Sequence, residues 1–192
     1  IARRWMDIDK IDAILDVPFS SVALAVQEAT RGSKTAFIAS GPGSSLLTGE
    51  KCSPNTVHWT YDTYMLANST GTALVKAGGD TWFFLTADYA FGAALERDTT
   101  NALKAAGGKV LGAVRHPLST GDFSSFLLQA QASKAKIIGL ANGGGDTINA
   151  VKQAAEFGVQ QSGQKLVAFL LFINDIHGMG LKVAQGLQLM EA

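Results

Sequence analysis

The chain has 192 residues, 47% of them hydrophobic, which is enough to bury the core of one domain or of two small ones. Sixteen basic and sixteen acidic residues cancel, so no net charge would attract the chain to nucleic acid or to an anionic membrane. No apolar run is long enough to cross a bilayer, and the longest, residues 166–173, suits a buried strand.

Short apolar segments alternate with amphipathic segments along the chain, and this alternation predicts strands and helices in turn. The predicted strands cover residues 13–17, 35–39, 81–86, 109–114, 137–141, 166–172 and 187–190. The predicted helices cover residues 21–30, 61–77, 91–106, 122–133 and 147–157, with Asp122 as an N-cap and Gly158 as a C-cap. Strands that are apolar on both faces and separated by helices are typical of a parallel sheet covered by helices, so the predicted class is α/β, doubly wound.

The segment Gly78-Gly79-Asp80 is a flexible break after a long predicted helix. It predicts a boundary between two lobes, residues 1–79 and 80–192, although a helix C-cap alone would have the same sequence. The chain opens on IARRWMD without a targeting segment and closes on GLQLM, which has the pattern of a strand. We expect both ends to be cuts through a larger fold.

Small polar residues follow the predicted strands, and open parallel sheets bind ligands beyond the carboxyl ends of their strands. Ser20 and Ser21 begin a helix, where hydroxyls and free backbone N–H groups together could hold a carboxylate. Gly41 and Gly43 would let the backbone approach a ligand closely, since neither has a side chain. These positions predict the ligand-facing edge of the first lobe.

The later strand ends add aromatic and amide side chains. Tyr89 and Phe91 could form apolar walls, with the tyrosine hydroxyl as a polar group. Asn142, Asn174 and Asp175 could receive an amine or a hydroxyl. The same residue types cap helices and form turns in any protein, so a purely structural role stays open for each of them.

Motifs typical of enzymes are missing from the sequence. Gly41-Pro42-Gly43 is half of a dinucleotide-binding fingerprint, but leucine occupies the place of the third glycine, and no GxSxG or HExxH occurs. The histidines lack metal-ligand spacing, and the single cysteine has no partner for a disulfide: His58, His116, His177 and Cys52. We therefore expect no catalysis, no metal and no cofactor.

Three segments match a known pattern: RHPLSTGDFSSFLLQAQ at 115–131, TADYAFGAALE at 86–96 and AFIASGPGSSLLT at 36–48. The first is similar to a P-x-x-x-x-D-F-S-x-x-L stretch. Together they resemble type I periplasmic binding proteins, the branched-chain amino acid receptors of ABC transporters in particular. Two further segments, VHWTYDTYMLA and LANGGGDTINAVKQA, look most like receptors of soil bacteria that take up aromatic acids or similar carboxylates.

The resemblance implies two α/β lobes joined by a hinge, with parallel sheets flanked by helices and a carboxylate ligand held between the lobes. Gly43 stands where amino-acid receptors often have threonine, so one hydroxyl contact is missing or is supplied by Ser44. The acid that pairs with a ligand ammonium would fall near Asn174 and Asp175. A match at Asn174 favours a ligand without an amino group, and a match at Asp175 favours an amino acid. The ligand-binding residues that the resemblance implies are Ser20, Ser21, Gly41, Pro42, Gly43, Ser44, Tyr89, Phe91, Asn142 and Asn174.

The function implied by this resemblance is an extracytoplasmic or periplasmic solute-binding receptor of an ABC importer. Its partners would be a small carboxylate and a membrane permease, and not nucleic acid. An effector-binding domain of a transcriptional regulator or sensor on the same fold is the alternative. A Rossmann-type enzyme would require the cofactor fingerprint that is missing.

Overall fold

A computed structural model describes residues 1–189 and contains two parallel β-sheets. The first sheet has the order β1-β2-β3, with β1 at Ala13–Leu15, β2 at Ala36–Ala39 and β3 at Thr56–His58. The second has the order β5-β4-β6-β7-β8, with β4 at Thr81–Ala87, β5 at Lys109–His116, β6 at Ile137–Ala141, β7 at Lys165–Ala168 and β8 at Gln188–Leu189. Every strand pair is parallel, which confirms the predicted α/β class.

Helices connect the strands and cover the sheets. They are α1 at Ala2–Asp7, α2 at Ser20–Thr30, α3 at Thr63–Lys76, α4 at Ala90–Ala105, α5 at Ser124–Ala132, α6 at Gly145–Glu156, α7 at Ile173–Met179 and α8 at Leu181–Ala184. Within residues 1–189, no helix combines the length and the apolar composition that crossing a membrane requires.

The second sheet is buried on both faces, as its continuous apolar strands predict. On one face Trp82 and Phe84 of β4 pack with Phe169, at ring-centroid distances of 6.0 and 6.5 Å. On the other face Leu85 packs in a separate cluster with Phe123. Burial of large apolar side chains on both faces supplies most of the stabilisation of such a sheet.

The bounds of several predicted elements differ from the structure; the strand predicted at 13–17, for example, ends at Leu15. The strand predicted at 166–172 ends at Ala168, where its pairing with both β6 and β8 stops. Phe169 and Leu171 stay buried by packing alone, which an apolar run cannot distinguish from a strand. The short strand β3 was not predicted, since its sequence TVH carries little apolar signal. The prediction for Met190 lies outside the described residues.

The helix predicted to start at Asp122 begins two residues later. The Asp122 carboxylate accepts a hydrogen bond from the Ser124 N–H at 2.8 Å, and Phe123 is the residue that precedes the helix. Gly158 follows the end of α6 with φ +66°, in the left-handed conformation that glycine adopts easily.

Helix α3 packs on α4, and this contact bears on the predicted lobes. Leu66 of α3 is buried in the same core as Trp82 and Phe84 of the second sheet. Gly71 of α3 faces Leu103 of α4, and a Cβ there would make an ordinary contact with its Cδ2 at 3.5 Å. The division at residues 79 and 80 stays a prediction, and α3, which it assigns to the first lobe, contacts the second sheet.

Candidate functional site

A cavity of about 570 Å³ lies beyond the carboxyl ends of strands from both sheets. Its volume is in the range of pockets that hold small organic ligands. Its wall consists of aromatic rings, glycine backbone and a few polar side chains: Pro18, Phe19, Gly41, Gly43, Tyr61, Tyr89, Phe91, Leu118, Ser119, Gly143, Gly144, Gly145, Asp146, Asn149 and Leu170. The cavity is therefore the candidate ligand-binding site.

Aromatic rings from the segments that follow strands of both sheets form one side of the cavity. Phe19 and Phe91 each pack against Tyr89, with a ring-centroid distance of 5.9 Å in both pairs. The hydroxyl of Tyr61 donates to the carbonyl oxygen of Gly41 at 3.3 Å. Such rings offer a large apolar surface to a flat ligand, and the tyrosine hydroxyls add hydrogen-bonding groups.

The glycines of the β2 loop are required by the close approach of neighbouring groups. A Cβ at Gly43 would lie 2.9 Å from Cε2 of Phe91 and 3.0 Å from Cε2 of Tyr61. A Cβ at Gly41 would clash with the Asp16 carboxylate and would lie 3.0 Å from Pro18. The backbone of this loop therefore sits against the rings with no room for a side chain.

Three helices begin at the cavity, because each follows a strand whose carboxyl end faces it. The residues before α2, α4 and α6 are Phe19, Tyr89 and Gly144, and none of them caps its helix with a side chain. The first backbone N–H groups of a helix have no partner within the helix, and the helix dipole makes this end positive. The site therefore favours an anionic group.

Asp146, in the first turn of α6, is the acidic side chain of the cavity wall and is 6% exposed. Its carboxylate accepts hydrogen bonds from the N–H groups of Ser119 at 3.2 Å and Thr120 at 2.8 Å. These bonds hold the segment after β5 against α6, and they place a carboxylate where a ligand amine could reach it.

Four of the predicted site residues line the cavity: Gly41, Gly43, Tyr89 and Phe91. Ser20 and Ser44 lie behind the wall, where the Ser20 hydroxyl accepts from the Ser44 N–H at 3.2 Å. The Ser21 hydroxyl accepts from the Ala90 N–H at 3.1 Å. The predicted hydroxyls thus contact backbone groups of the loops that carry the wall.

The other predicted residues also lie outside the cavity wall. The Pro42 carbonyl oxygen accepts from Nε2 of His58 at 2.6 Å. Asn142 is fully buried, with its Oδ1 accepting from Thr147 at 2.7 Å and its Nδ2 3.1 Å from Nε2 of His116. Asn174 is an exposed residue of α7 and does not follow a strand directly.

Asp175 caps its own helix, since its carboxylate accepts from the Phe172 N–H at 2.9 Å. Leu170, four residues before Asn174, is the residue of this segment that lines the cavity. A partly buried leucine, and neither Asn174 nor Asp175, therefore lines the cavity in this segment.

Several wall residues were not among the predicted site residues, and Tyr61 and Asp146 are the most informative. Tyr61 was assigned to a helix, although it follows β3, whose weak apolar signal hid the strand end. Asp146 was grouped with the glycine-rich turn after β6 but was not assigned a role. Within residues 1–189, no three His, Cys, Asp or Glu side chains form a group that could hold a metal ion.

The two tyrosines of the wall are buried enough to change their ionisation. Burial, together with the nearby Tyr61 and Asp146, raises the pKa of Tyr89 to about 12. Burial also raises the pKa of Tyr61, with Asp16 adding to the effect. Both phenols therefore stay neutral and able to donate a hydrogen bond at physiological pH.

We expect the contribution of Tyr89 to the free energy of unfolding to decrease at alkaline pH. Because its folded pKa of about 12 exceeds the ordinary value of 10.0, this contribution is fully present below pH 10 and is lost as the pH rises through 12. Phenolate absorbance titrations of the wild type and Tyr89→Phe should differ by a component with a midpoint near pH 12. If the component that Tyr89→Phe loses had its midpoint near pH 10 instead, Tyr89 would not be buried in solution.

Comparison with known proteins places the chain in a family. Residues 1–192 match a family profile described as periplasmic binding protein. A periplasmic binding protein from Burkholderia mallei is 57% identical with a TM-score of 0.93, over 97% of this chain and 49% of its own. A branched-chain amino acid ABC transporter periplasmic ligand-binding protein from Burkholderia xenovorans LB400 is 34% identical with a TM-score of 0.80, over 98% and 50%.

A third solved structure is a solute-binding protein of an ABC transporter from R. palustris in complex with 4-hydroxybenzoate. It is 25% identical with a TM-score of 0.82, over 93% of this chain and 49% of its own. No curated protein matches the sequence. The chain spans about half the length of these structures. The match over all 192 residues confirms the resemblance: the chain belongs to the type I periplasmic binding protein family, which includes the receptors of branched-chain amino acid and aromatic acid ABC transporters.

Proposed function

We propose that this chain is the ligand-binding part of a periplasmic receptor that captures a small aromatic carboxylate and presents it to the permease of an ABC transporter. The observation that carries the proposal is the cavity of about 570 Å³ between the two sheets, where aromatic rings and three helix N-termini converge. Family membership supports the role of a receptor.

The helix N-termini support a carboxylate as the charged group of the ligand. Unpaired N–H groups and the helix dipole both stabilise negative charge at this end of a helix. The first turn of α6 already contains the Asp146 carboxylate, whereas the first turn of α2 contains no acidic residue. A carboxylate of the ligand would therefore lie at the start of α2, next to Phe19 of the cavity wall.

The aromatic wall supports a ring as the rest of the ligand. Phe19, Tyr61, Tyr89 and Phe91 offer apolar faces to a flat ligand. The R. palustris protein, whose structure contains 4-hydroxybenzoate, shares the fold over 93% of this chain. We therefore propose an acid of the benzoate class.

Within residues 1–189, the segment that leads into α7 brings no acid to the cavity wall, which supports a ligand without an amino group. Asn174 is exposed, Asp175 caps α7, and Leu170 lines the cavity in this segment. Asp146 is the acid that an amino-acid ligand would use, and its two backbone hydrogen bonds already compensate part of its charge. The ligand panel below distinguishes these two cases.

In the proposed mechanism, the part of the chain around the first sheet and the part around the second sheet close on the ligand. The cavity wall combines residues that follow β1 and β2 of the first sheet with residues that follow β4, β5 and β6 of the second. A ligand that contacts both sides binds the closed arrangement more tightly and shifts the population toward it. No covalent bond changes.

The expected result of a thermal-shift screen is stabilisation of the full-length protein by benzoate and 4-hydroxybenzoate. A ligand at a hundredfold excess over its Kd stabilises the folded state by about 2.7 kcal/mol. The matched panel contains phenylalanine and leucine, which carry an α-ammonium. Stabilisation by the amino acids alone would assign Asp146 as the ammonium partner and contradict the benzoate class. Stabilisation by neither panel would contradict the proposed ligand type.

A further inference from the structure

A buried carboxylate outside the cavity accepts hydrogen bonds from three different segments of the fold. Asp98 of α4 is 8% exposed. Its Oδ2 accepts from the hydroxyls of Ser45 and Thr63, each at 2.6 Å. Its Oδ1 accepts from Nε and Nη2 of Arg97, at 2.9 and 2.8 Å. A buried charge is stable only when it is paired in this way.

Two of these donors belong to segments that meet beside the cavity. Ser45 lies in the loop after β2, and Thr63 is the first residue of α3. The Thr63 N–H donates to the carbonyl oxygen of Gly43 at 2.7 Å, and the Ser45 N–H donates to the Thr63 hydroxyl at 3.1 Å. Gly43 and Ser45 are therefore each hydrogen-bonded to Thr63 of α3. Asp98 orients the Thr63 hydroxyl that accepts the bond from Ser45.

The position of Gly43 determines the width of the cavity. A Cβ there would already touch the rings of Tyr61 and Phe91, so the loop backbone lies in direct contact with the aromatic wall. Phe91 and Asp98 lie on the same helix, α4. A shift of the Gly43–Ser45 segment relative to α4 would therefore separate the glycine backbone from the ring of Phe91.

We propose that Asp98 is a positioning residue for ligand binding, which acts through the hydroxyls of Ser45 and Thr63 to fix the Gly43–Ser45 segment against the aromatic wall. Asp98 does not touch the ligand. This inference rests on the proposed function, because it assigns the affinity of that same cavity to a residue outside it. The Gly43–Ser45 segment should already be held by these bonds in the ligand-free protein, before any ligand binds.

The first test measures hydrogen exchange of the Ser44 and Ser45 amides in the ligand-free, full-length protein. Asp98→Asn removes the charge, and Thr63→Val removes the hydroxyl while keeping the shape of the side chain. Both variants are expected to speed exchange of the Ser45 amide at least about tenfold, as the loss of hydrogen bonds to a charged group predicts. Thr63→Ser keeps the hydroxyl and should retain slow exchange.

Asp80→Asn is the matched control for loss of a carboxylate. Asp80 forms an ion pair with Lys136 at 2.9 Å and precedes β4, at the end of the sheet opposite to the cavity. The Ser45 amide of the Asp80→Asn variant should exchange at the same rate as that of the wild type. Unchanged exchange of the Ser45 amide in Asp98→Asn would overturn the inference, whatever the protein binds.

The second test measures the Kd of 4-hydroxybenzoate by calorimetry, at a temperature where circular dichroism shows every variant folded. Asp98→Asn and Thr63→Val are each expected to raise the Kd by about tenfold. Their double variant should be little weaker than either single variant, because both act through the same bonds. Equal Kd values in the wild type and Asp98→Asn would overturn the inference and leave the proposed function intact. A wild type that binds no acid would contradict the proposed function, and the exchange result would still decide the role of Asp98.

Discussion

Replacing Phe91 by alanine is expected to weaken binding of an aromatic acid by roughly 1–3 kcal/mol, the scale of losing a well-buried apolar side chain. Phe91 lines the cavity, and its ring pairs with that of Tyr89 at 5.9 Å. It is also 3% exposed and belongs to the core cluster of Trp82 and Phe84, so we expect the free energy of unfolding to fall by about 3–5 kcal/mol. Calorimetric titration and denaturant unfolding of the full-length protein measure the two effects separately.

Phe84→Ala is the matched control for the loss of a buried ring. Phe84 is fully buried in the same cluster but does not line the cavity. Its variant should lose a similar free energy of unfolding and keep the Kd of the wild type under conditions where it is folded. If Phe91→Ala also kept the wild-type Kd, Phe91 would be a core residue without a ligand contact.

Replacing Gly43 by threonine should reduce affinity for the aromatic acid by about tenfold to a hundredfold, since filling an occupied space costs typically 1–3 kcal/mol. The new Cβ would lie within 3.0 Å of the rings of Phe91 and Tyr61, which must move into the cavity or away from the loop. The added hydroxyl, which resembles the contact of amino-acid receptors, does not compensate because the rings occupy its place. A calorimetric titration of the variant measures the change.

Gly178→Ala is the control for adding a side chain to a glycine. Gly178 lies in α7, and a Cβ there meets nothing within 4 Å. Alanine is the better helix former, so the variant should be as stable as the wild type or slightly more stable, with unchanged affinity. Wild-type affinity in Gly43→Thr would mean that the rings move freely and that the cavity is wider in solution.

The fold could be predicted from the sequence because its strongest signals are local. The strands β4 and β6 are continuous apolar runs between amphipathic helices, and their bounds agree with the prediction to within one residue. The strand β7 could not be bounded in this way, since Phe169 and Leu171 are buried by packing without strand partners. Apolar character reports burial, whereas strand ends depend on which neighbour is available for hydrogen bonding.

The candidate site could be predicted only in part. Gly41, Gly43, Tyr89 and Phe91 follow clear strands, and the rule that ligands bind beyond strand ends placed them at the cavity. Tyr61 follows a three-residue polar strand that leaves no such signal.

The roles of the hydroxyls needed three-dimensional contacts. The Ser20 hydroxyl accepts from a backbone N–H 24 residues away, and the Ser45 hydroxyl donates to a carboxylate 53 residues away. No spacing in the sequence encodes these partners.

The most direct test of the account is a crystal structure of the full-length protein grown with 4-hydroxybenzoate. We expect the ring of the acid among Phe19, Tyr61, Tyr89 and Phe91, with its carboxylate accepting hydrogen bonds from backbone N–H groups at the start of one of the three helices that face the cavity. A structure in which the acid binds elsewhere while this cavity holds only water would contradict the central claim.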